Sequence, residues 1–168
     1  DEIKELERES FLYKMYLETV GRDGIPYQVM CNVVPEIENE INSILTQIVN
    51  YTIELETDGK NIIPYIVYDE CKWPIELSSG FERFVASIAI RVALTEISNL
   101  PKCSIFLCDE GFGTIDSDNM SSMSILLSAL KSKFDFIIVV SHIDAMKDAV
   151  DNAIEIKRVN DFSNVRFE

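Results

Sequence analysis

The chain has 168 residues, of which 15 are lysine or arginine and 29 are aspartate or glutamate, so its formal net charge is −14. A surface this acidic repels phosphate backbones, which argues against direct binding of nucleic acid by this chain. No apolar run approaches the roughly 20 residues of a membrane-spanning helix, and no signal peptide is visible. The length suits a single lobe with one core, which buries roughly 70% of the unfolded surface.

The four cysteines lie at positions 31, 71, 103 and 108 and form no CxxC pair. Reduced thiols, and a location in the cytoplasm or a nucleus, are therefore expected. The chain begins with Asp1 instead of methionine, which fits a piece of a longer protein.

The first 20 residues predict a helix with a coiled-coil seam. Apolar residues recur at alternating intervals of three and four, with one polar member: Ile3, Leu6, Ser10, Tyr13, Leu17 and Val20. This pattern predicts the root of a coiled coil over residues 1–20. A self-contained amphipathic helix is the alternative, because it produces the same pattern over so short a length.

The next 48 residues, 21–68, predict a helix followed by two strands. Gly21–Pro26 breaks the first helix, and Pro35 is expected to open the second. Residues 51–57 and 62–68 read as two strands around a turn. Pro64 predicts that the second strand lies at a sheet edge or begins there.

A loop of small residues, Ser78 to Gly80, precedes a long apolar segment, 84–97. Such a loop at a helix N-terminus presents backbone N–H groups and the positive end of the helix dipole to phosphate oxygens. The alternative is an ordinary serine N-cap beside a glycine.

Residues Ile105 to Cys108 form an apolar run that ends in two carboxylates, Asp109 and Glu110. The run predicts a strand of a parallel sheet, buried on both faces, and ligands bind at the carboxyl ends of such strands. Asp109 could hold a nucleotide-bound magnesium ion, and Glu110 could polarise an attacking water. The alternative is that the two carboxylates open a surface loop.

A second apolar strand, Phe136 to Val140, runs into Ser141 and His142, the only histidine of the chain. Its place at a strand end favours contact with phosphate or water, although lone histidines are often structural. Between the strands, a helix from Met120 to Leu130 has apolar residues that are expected to pack in the core: Met120, Met123, Leu126, Leu127 and Leu130.

Four short motifs in residues 75–157 together resemble the ATP-binding cassette superfamily, and within it the SMC-like DNA-repair ATPases of the SbcC type. Residues 77–82 look like the signature motif, Asp109-Glu110 like the end of Walker B, residues 113–116 like the D-loop, and His142 like the switch histidine. Two residues depart from the pattern, since Ser79 replaces a glycine and Phe81 replaces a glutamine or glutamate. The segment 111–113, Gly-Phe-Gly, favours the SbcC and phage recombination-nuclease branch.

The resemblance implies an α/β fold: the C-terminal lobe of an ABC-type ATPase head, a mainly parallel sheet flanked by helices, in residues 21–168, after the coiled-coil root in residues 1–20. No Walker A loop occurs, because Gly59-Lys60 is the only Gly-Lys pair and Glu54 stands where the first glycine belongs. ATP binding is therefore expected only together with a Walker A half, on the same or a separate chain.

The resemblance also implies roles for single residues. Ser78, Ser79, Gly80 and Asp116 would contact nucleotide, Asp109 would hold Mg²⁺, and Glu110 and His142 would be catalytic. Arg83 and Arg91 match positions that couple nucleotide state to lobe rotation. Both arginines could equally be solvent-facing or paired with nearby carboxylates.

The partners implied are a second head in a homodimer, a metallo-nuclease of the SbcD type, and DNA bound by the assembled complex. Two other functions stay open. One is a chromosome-organising SMC or RecF-like ATPase without a nuclease, and the other is a non-catalytic interaction lobe.

Overall fold

The computed structural model describes residues 2–59, 61–109, 111 and 120–167. These residues contain four α-helices: α1 Glu2–Val20, α2 Ile25–Leu45, α3 Gly80–Ile97 and α4 Met120–Lys131. Its strands are β1 Thr52–Thr57, β2 Ile62–Tyr68, β3 Cys71–Pro74, β4 Ile105–Asp109, β5 Phe136–Val140, β6 Ile154–Val159 and β7 Phe162–Phe167. Short 3-10 helices occupy Ile75–Leu77 and Asp144–Ala149.

Helix α1 confirms the helix predicted for the N-terminus, and within Glu2–Val20 no side chain is buried. All apolar members of the predicted seam are exposed, including Leu17 and Val20. A turn at 21–24 separates α1 from α2. The helix therefore leaves a long apolar surface for another helix, and its assignment to a coiled coil over residues 1–20 stays a prediction.

Pro35 does not open the second helix, so that prediction is wrong. Helix α2 begins at Ile25, has Pro26 in its first turn and continues through Pro35 to Leu45. A proline inside a helix removes one backbone hydrogen bond. Burial of apolar side chains on both sides of Pro35, such as Val34 and Ile41, offsets that cost, since α2 packs against α3 and β1.

The first three strands form an antiparallel sheet in the order β1, β2, β3. The predicted hairpin of β1 and β2 is confirmed, whereas β3 was not predicted. Strand β2 is central, so the expectation that Pro64 marks an edge strand is wrong. Strand β3 pairs only with Tyr65 to Tyr68, however, so Pro64 has a paired neighbour on one side only, opposite Leu55 of β1.

Strands β4 and β5 are parallel, with Asp109 opposite Val140. The expected parallel pairing holds for these two strands, whereas the other described strand pairs, β1–β2, β2–β3 and β6–β7, are antiparallel. The expectation that β4 is buried on both faces is wrong. Phe106 and Cys108 pack against the core, whereas Leu107 is 64% exposed on the opposite face.

One apolar core lies between α2, α3, α4 and the antiparallel sheet. It includes four of the five expected apolar residues of α4, namely Met123, Leu126, Leu127 and Leu130, and much of α3. The side chain of the fifth, Met120, lies outside the described part of the structure. The C-terminal hairpin of β6 and β7 carries large exposed apolar side chains, among them Ile156 and Phe167. In the part of the chain that the structure describes, no helix is both long and apolar enough to cross a membrane.

Two leucines test this division between core and open face. Leu126 is 0% exposed on α4, and Leu107 lies on the open face of β4. We expect Leu126→Ala to lower the free energy of unfolding by about 2–5 kcal/mol, because it leaves a cavity. Leu107→Ala should cost about 0.5 kcal/mol or less. Urea unfolding of the chain measures both, and equal losses would contradict the burial described here.

Candidate active site

The loop at the start of α3 is held by a reciprocal capping box. The Ser79 hydroxyl accepts a hydrogen bond from the Glu82 N–H at 3.2 Å, and the Ser79 N–H donates to Glu82 Oε2 at 2.8 Å. The hydroxyl of the buried Ser78 donates to the Ile75 carbonyl at 2.6 Å. The serine cap considered as an alternative is therefore present, and it uses the N–H groups of Ser79 and Glu82.

Two tyrosines of the antiparallel sheet region hold the same glutamate. The Tyr68 hydroxyl donates to Glu82 Oε1 at 2.6 Å, and the Tyr51 hydroxyl donates to the Glu82 backbone carbonyl at 2.7 Å. The ring of Tyr68 stacks on that of Trp73, with 5.5 Å between centroids. We call Tyr51, Tyr68 and Trp73 the aromatic clamp. It ties the sheet to the first turn of α3.

These contacts shift the ionisation of the groups involved. Burial, together with the nearby Glu82 carboxylate, raises the pKa of Tyr51 and Tyr68, so both phenols stay protonated donors. Burial opposes ionisation of Glu82, but the hydrogen bonds from Tyr68 and Ser79 outweigh it and hold the pKa of this carboxyl below its usual value. The charged form of Glu82 is therefore the form that holds the loop.

A cleft of about 530 Å³ opens beside Ser79. Its lining comes from the chain after α2, the two tyrosines of the aromatic clamp, the start of α3 and α4: residues 46–51, Tyr68, Ser79, Phe81, Glu82 and Ser122. Phe81 itself is 9% exposed and belongs to the core. At position 81 the ring therefore packs in the core and also forms part of the cleft wall.

Asp109 and His142 lie at one edge of the parallel pair. Asp109 ends β4 opposite Val140, and His142 follows β5 by two residues. Both residues are exposed at the carboxyl ends of their strands, where ligands of parallel sheets bind. Two other predicted site residues, Glu110 and Asp116, lie outside the described residues.

An exposed carboxylate at a strand end fits the way in which magnesium binds next to nucleotides, through one or two carboxylates, several waters and phosphate oxygens. Across the described residues, no three histidine, cysteine, aspartate or glutamate side chains are grouped as a metal cage. The exposed position of Asp109 at the end of β4 fits a ligand of that kind, and its role as an Mg²⁺ ligand stays a prediction.

The two arginines of α3 act on residues at the two ends of the candidate site. The Arg83 guanidinium donates a hydrogen bond to the Ser78 carbonyl at 3.3 Å. This bond helps to hold the loop of Ser78 to Gly80, which we call the signature loop. Arg91 acts on the Cys108 thiol: burial raises the pKa of that thiol, and the positive charge of Arg91 opposes the rise. Both side chains are exposed, which matches the solvent-facing alternative and leaves the coupling role a prediction.

Sequence reasoning missed the aromatic clamp and the role of Glu82. The spacing of Ser79 and Glu82 is that of a capping box and was a visible signal. The partnership of Glu82 with Tyr51 and Tyr68 had no local signal, because it depends on how the sheet packs against α3.

The chain as a whole is similar to several known proteins. No protein-family model matches the sequence. The chain is 31% identical, over 92% of its length, to the uncharacterized protein R555 of Acanthamoeba polyphaga mimivirus. It is 27% identical, over 98% of its length, both to a probable DNA double-strand break repair Rad50 ATPase of Aquifex aeolicus (strain VF5) and to the SbcC component of the nuclease SbcCD of Staphylococcus aureus (strain NCTC 8325 / PS 47).

The chain spans 13%, 18% and 16% of these three relatives, respectively. Among solved structures, an SMC head domain from Thermotoga maritima aligns with a TM-score of 0.58 at 20% identity, over 82% of this chain and 49% of that one. A Pyrococcus furiosus Smc head with an extended coiled coil, bound to a ScpA C-terminal domain, gives 0.66 at 19% identity, over 99% and 42%.

The fold is thus that of an SMC-type ATPase head, which confirms the α/β head lobe with a long N-terminal helix. Within that class, the chain corresponds to the C-terminal half of an SMC-like ABC-type ATPase, and its sequence relatives are of the Rad50 and SbcC type.

The ionised state of Glu82 can be tested by pH. Its folded pKa lies below the unfolded value of about 4.3, so ionised Glu82 stabilises the fold above that pH and the contribution disappears as pH falls through the folded pKa. We expect wild type to be more stable than Glu82→Gln at pH 6, with the difference shrinking towards about pH 3. Urea midpoints across this range measure it, with the exposed Glu70→Gln as control. A difference independent of pH would contradict the assignment.

Proposed function

We propose that this chain is the C-terminal half of an ATP-hydrolysing DNA double-strand-break repair and recombination ATPase, whose heads dimerise on ATP and regulate a partner nuclease. The observation that carries the proposal is the shared edge of β4 and β5, where Asp109 ends one strand and His142 follows the other by two residues. The capped loop of Ser78, Ser79 and Gly80 supplies the second, separate half of a composite nucleotide site.

Each residue set has its own task in this proposal. Asp109 holds Mg²⁺ next to the nucleotide, and the bound ion supplies charge neutralisation on the phosphates. Glu110 orients the attacking water, and His142 contacts that water or the γ-phosphate. Asp116 reaches across the dimer interface.

The signature loop acts on the nucleotide of the opposite subunit. The backbone N–H groups at the start of α3 and the helix dipole favour a phosphate there, and the capping box and the Arg83 contact keep the loop in one geometry. Preorganised donors need no rearrangement when charge develops in the transition state.

Two exposed apolar faces support an additional half that carries the Walker A loop. One is the open face of the parallel pair, with Ile105, Leu107, Phe136, Ile138 and Val140. The other is one face of the C-terminal hairpin, with Ile154, Ile156, Val165 and Phe167. Contiguous apolar surface of this kind marks a protein interface. A Walker A half covering it would complete the phosphate-binding site.

The partners follow from the relatives. A metallo-nuclease of the SbcD type and DNA are proposed as partners of the assembled protein, because one relative is a component of the nuclease SbcCD and another is a probable Rad50 ATPase. With a net charge of −14, this chain is a poor DNA surface, so the DNA contacts belong to other parts of the complex.

A chromosome-organising SMC or RecF-like ATPase is the second candidate, favoured by the likeness to SMC heads, one of them bound to ScpA. Affinity purification of the full protein from its host discriminates between the two. A copurifying metallo-nuclease supports the repair function, and a ScpA-type partner without a nuclease supports the second candidate.

ATP hydrolysis tests the composite site. We expect no turnover by this chain alone and Mg²⁺-dependent turnover after assembly with a Walker A half. Glu110→Gln should lower kcat by about 100-fold or more, because a water-positioning carboxylate typically contributes 10²–10⁴-fold. The exposed Glu70→Gln is the matched control and should behave as wild type.

Turnover by the chain alone, or a Glu110→Gln variant as active as wild type, would overturn this mechanism. A Glu110→Gln protein that still binds ATP and dimerises, but no longer hydrolyses ATP, would show that Glu110 is catalytic. It would exclude the non-catalytic interaction lobe considered above.

The apolar faces can be tested by assembly. Leu107→Glu and Ile138→Glu place charges on the open face of the parallel pair, so we expect them to weaken binding of the Walker A half strongly, because a charge buried at an interface without a partner is costly. Leu100→Glu is the matched control, since Leu100 is also exposed but lies in a loop outside both faces. Equal binding by all three variants would contradict the proposed interface.

A further inference from the structure

Gly111 follows the acidic pair, Asp109 and Glu110, and lies directly against the Phe84 side chain of α3. A Cβ atom at Gly111 would overlap Cε2 of the Phe84 ring and would lie 3.0 Å from Cζ and 3.1 Å from Cδ2. The ring leaves no room for a side chain at position 111, so this approach requires glycine.

A second contact fixes the same turn from the strand side. The Gly111 N–H donates a hydrogen bond to the Cys108 thiol. The positive charge of Arg91 on α3 also acts on this thiol. Cys108 and Phe84 both pack against the main core. Cys108 and Gly111 flank the acidic pair in the sequence, and both are held by α3 or by the core beneath it.

Phe84 lies four residues, about one helical turn, after Gly80. The loop of Ser78 to Gly80 and the Phe84 ring that contacts Gly111 therefore lie within the first two turns of α3. In the proposed dimer the signature loop serves the nucleotide of the opposite subunit, whereas the acidic pair serves the nucleotide of its own.

We propose that Phe84 is a positioning residue: through its contact with Gly111 it locks the acidic strand end to the signature helix and so links the two nucleotide sites of the dimer. This inference rests on the proposed function. Closure of the signature loop on one nucleotide then sets the position of the acidic pair at the other, because α3 moves as one rigid element.

The test is a size exchange in the protein assembled with its Walker A half. We expect Gly111→Ala to lower kcat for ATP by about 100-fold, since a displacement of about 1 Å at the reacting groups costs that much. The KM for ATP should stay within about twofold, because the residues that bind nucleotide are unchanged. The double variant Gly111→Ala/Phe84→Leu, which removes the overlapping ring atoms, should recover most of the lost kcat.

Phe84→Leu alone only loosens the contact, so we expect it to lower kcat less than Gly111→Ala does, at unchanged KM. It keeps the inference testable if Gly111→Ala does not fold. Leu45→Ala, a destabilising change in the core of α2, is the control for lost stability and should leave kcat of the folded protein unchanged.

The inference is overturned if Gly111→Ala turns over like wild type, if Phe84→Leu does not rescue it, or if Phe84→Leu raises KM at unchanged kcat. These failures differ from failure of the proposed function. An inactive Glu110→Gln beside a fully active Gly111→Ala removes only the role of Phe84, whereas an active Glu110→Gln removes the catalytic scheme as well.

Discussion

The Glu82 carboxylate is the group on which the arrangement of this lobe depends. It caps α3 by accepting a hydrogen bond from the Ser79 N–H, and it accepts another from the Tyr68 hydroxyl. These two bonds join the antiparallel sheet to the loop of Ser78 to Gly80. Its charge is maintained by those hydrogen bonds against the cost of burial. Helix α3 then extends this order to the parallel pair, because Phe84 lies against Gly111. One helix, α3, therefore contacts both the loop of Ser78 to Gly80 and Gly111 after β4.

The lobe is well packed on one side and apolar on the other. Helices α2, α3 and α4 enclose a core with many fully buried side chains, whereas β4, β5 and the C-terminal hairpin present apolar faces outward. The chain also carries the acidic strand end and a signature loop without any phosphate-cradling Walker A sequence. The proposed head of two halves accounts for both features, because the second half would cover the apolar surface and supply the Walker A loop.

Local signals predicted the parts of the fold that local physics determines. The apolar runs before Asp109 and His142 predicted β4, β5 and their common edge, and the Ser79 loop predicted the start of α3. Pro35 was misjudged because packing of α2 outweighs a lost hydrogen bond. The open face of β4 could not be predicted, since an apolar run looks the same whether a partner within this chain covers it or not. The hydrogen bond from Tyr68 to Glu82 joins two separate elements, so no periodic pattern in the sequence predicts it.

ATP turnover of mixed dimers, purified through two different tags, tests whether the loop of Ser78 to Gly80 serves the nucleotide of the opposite subunit. One dimer carries Ser79→Arg in one subunit and Glu110→Gln in the other, and the second dimer carries both changes in a single subunit. We expect turnover in the first, which keeps one intact site, and none in the second, which keeps no intact site. The reverse pattern would show that loop and carboxylate act within one subunit and would overturn the composite site.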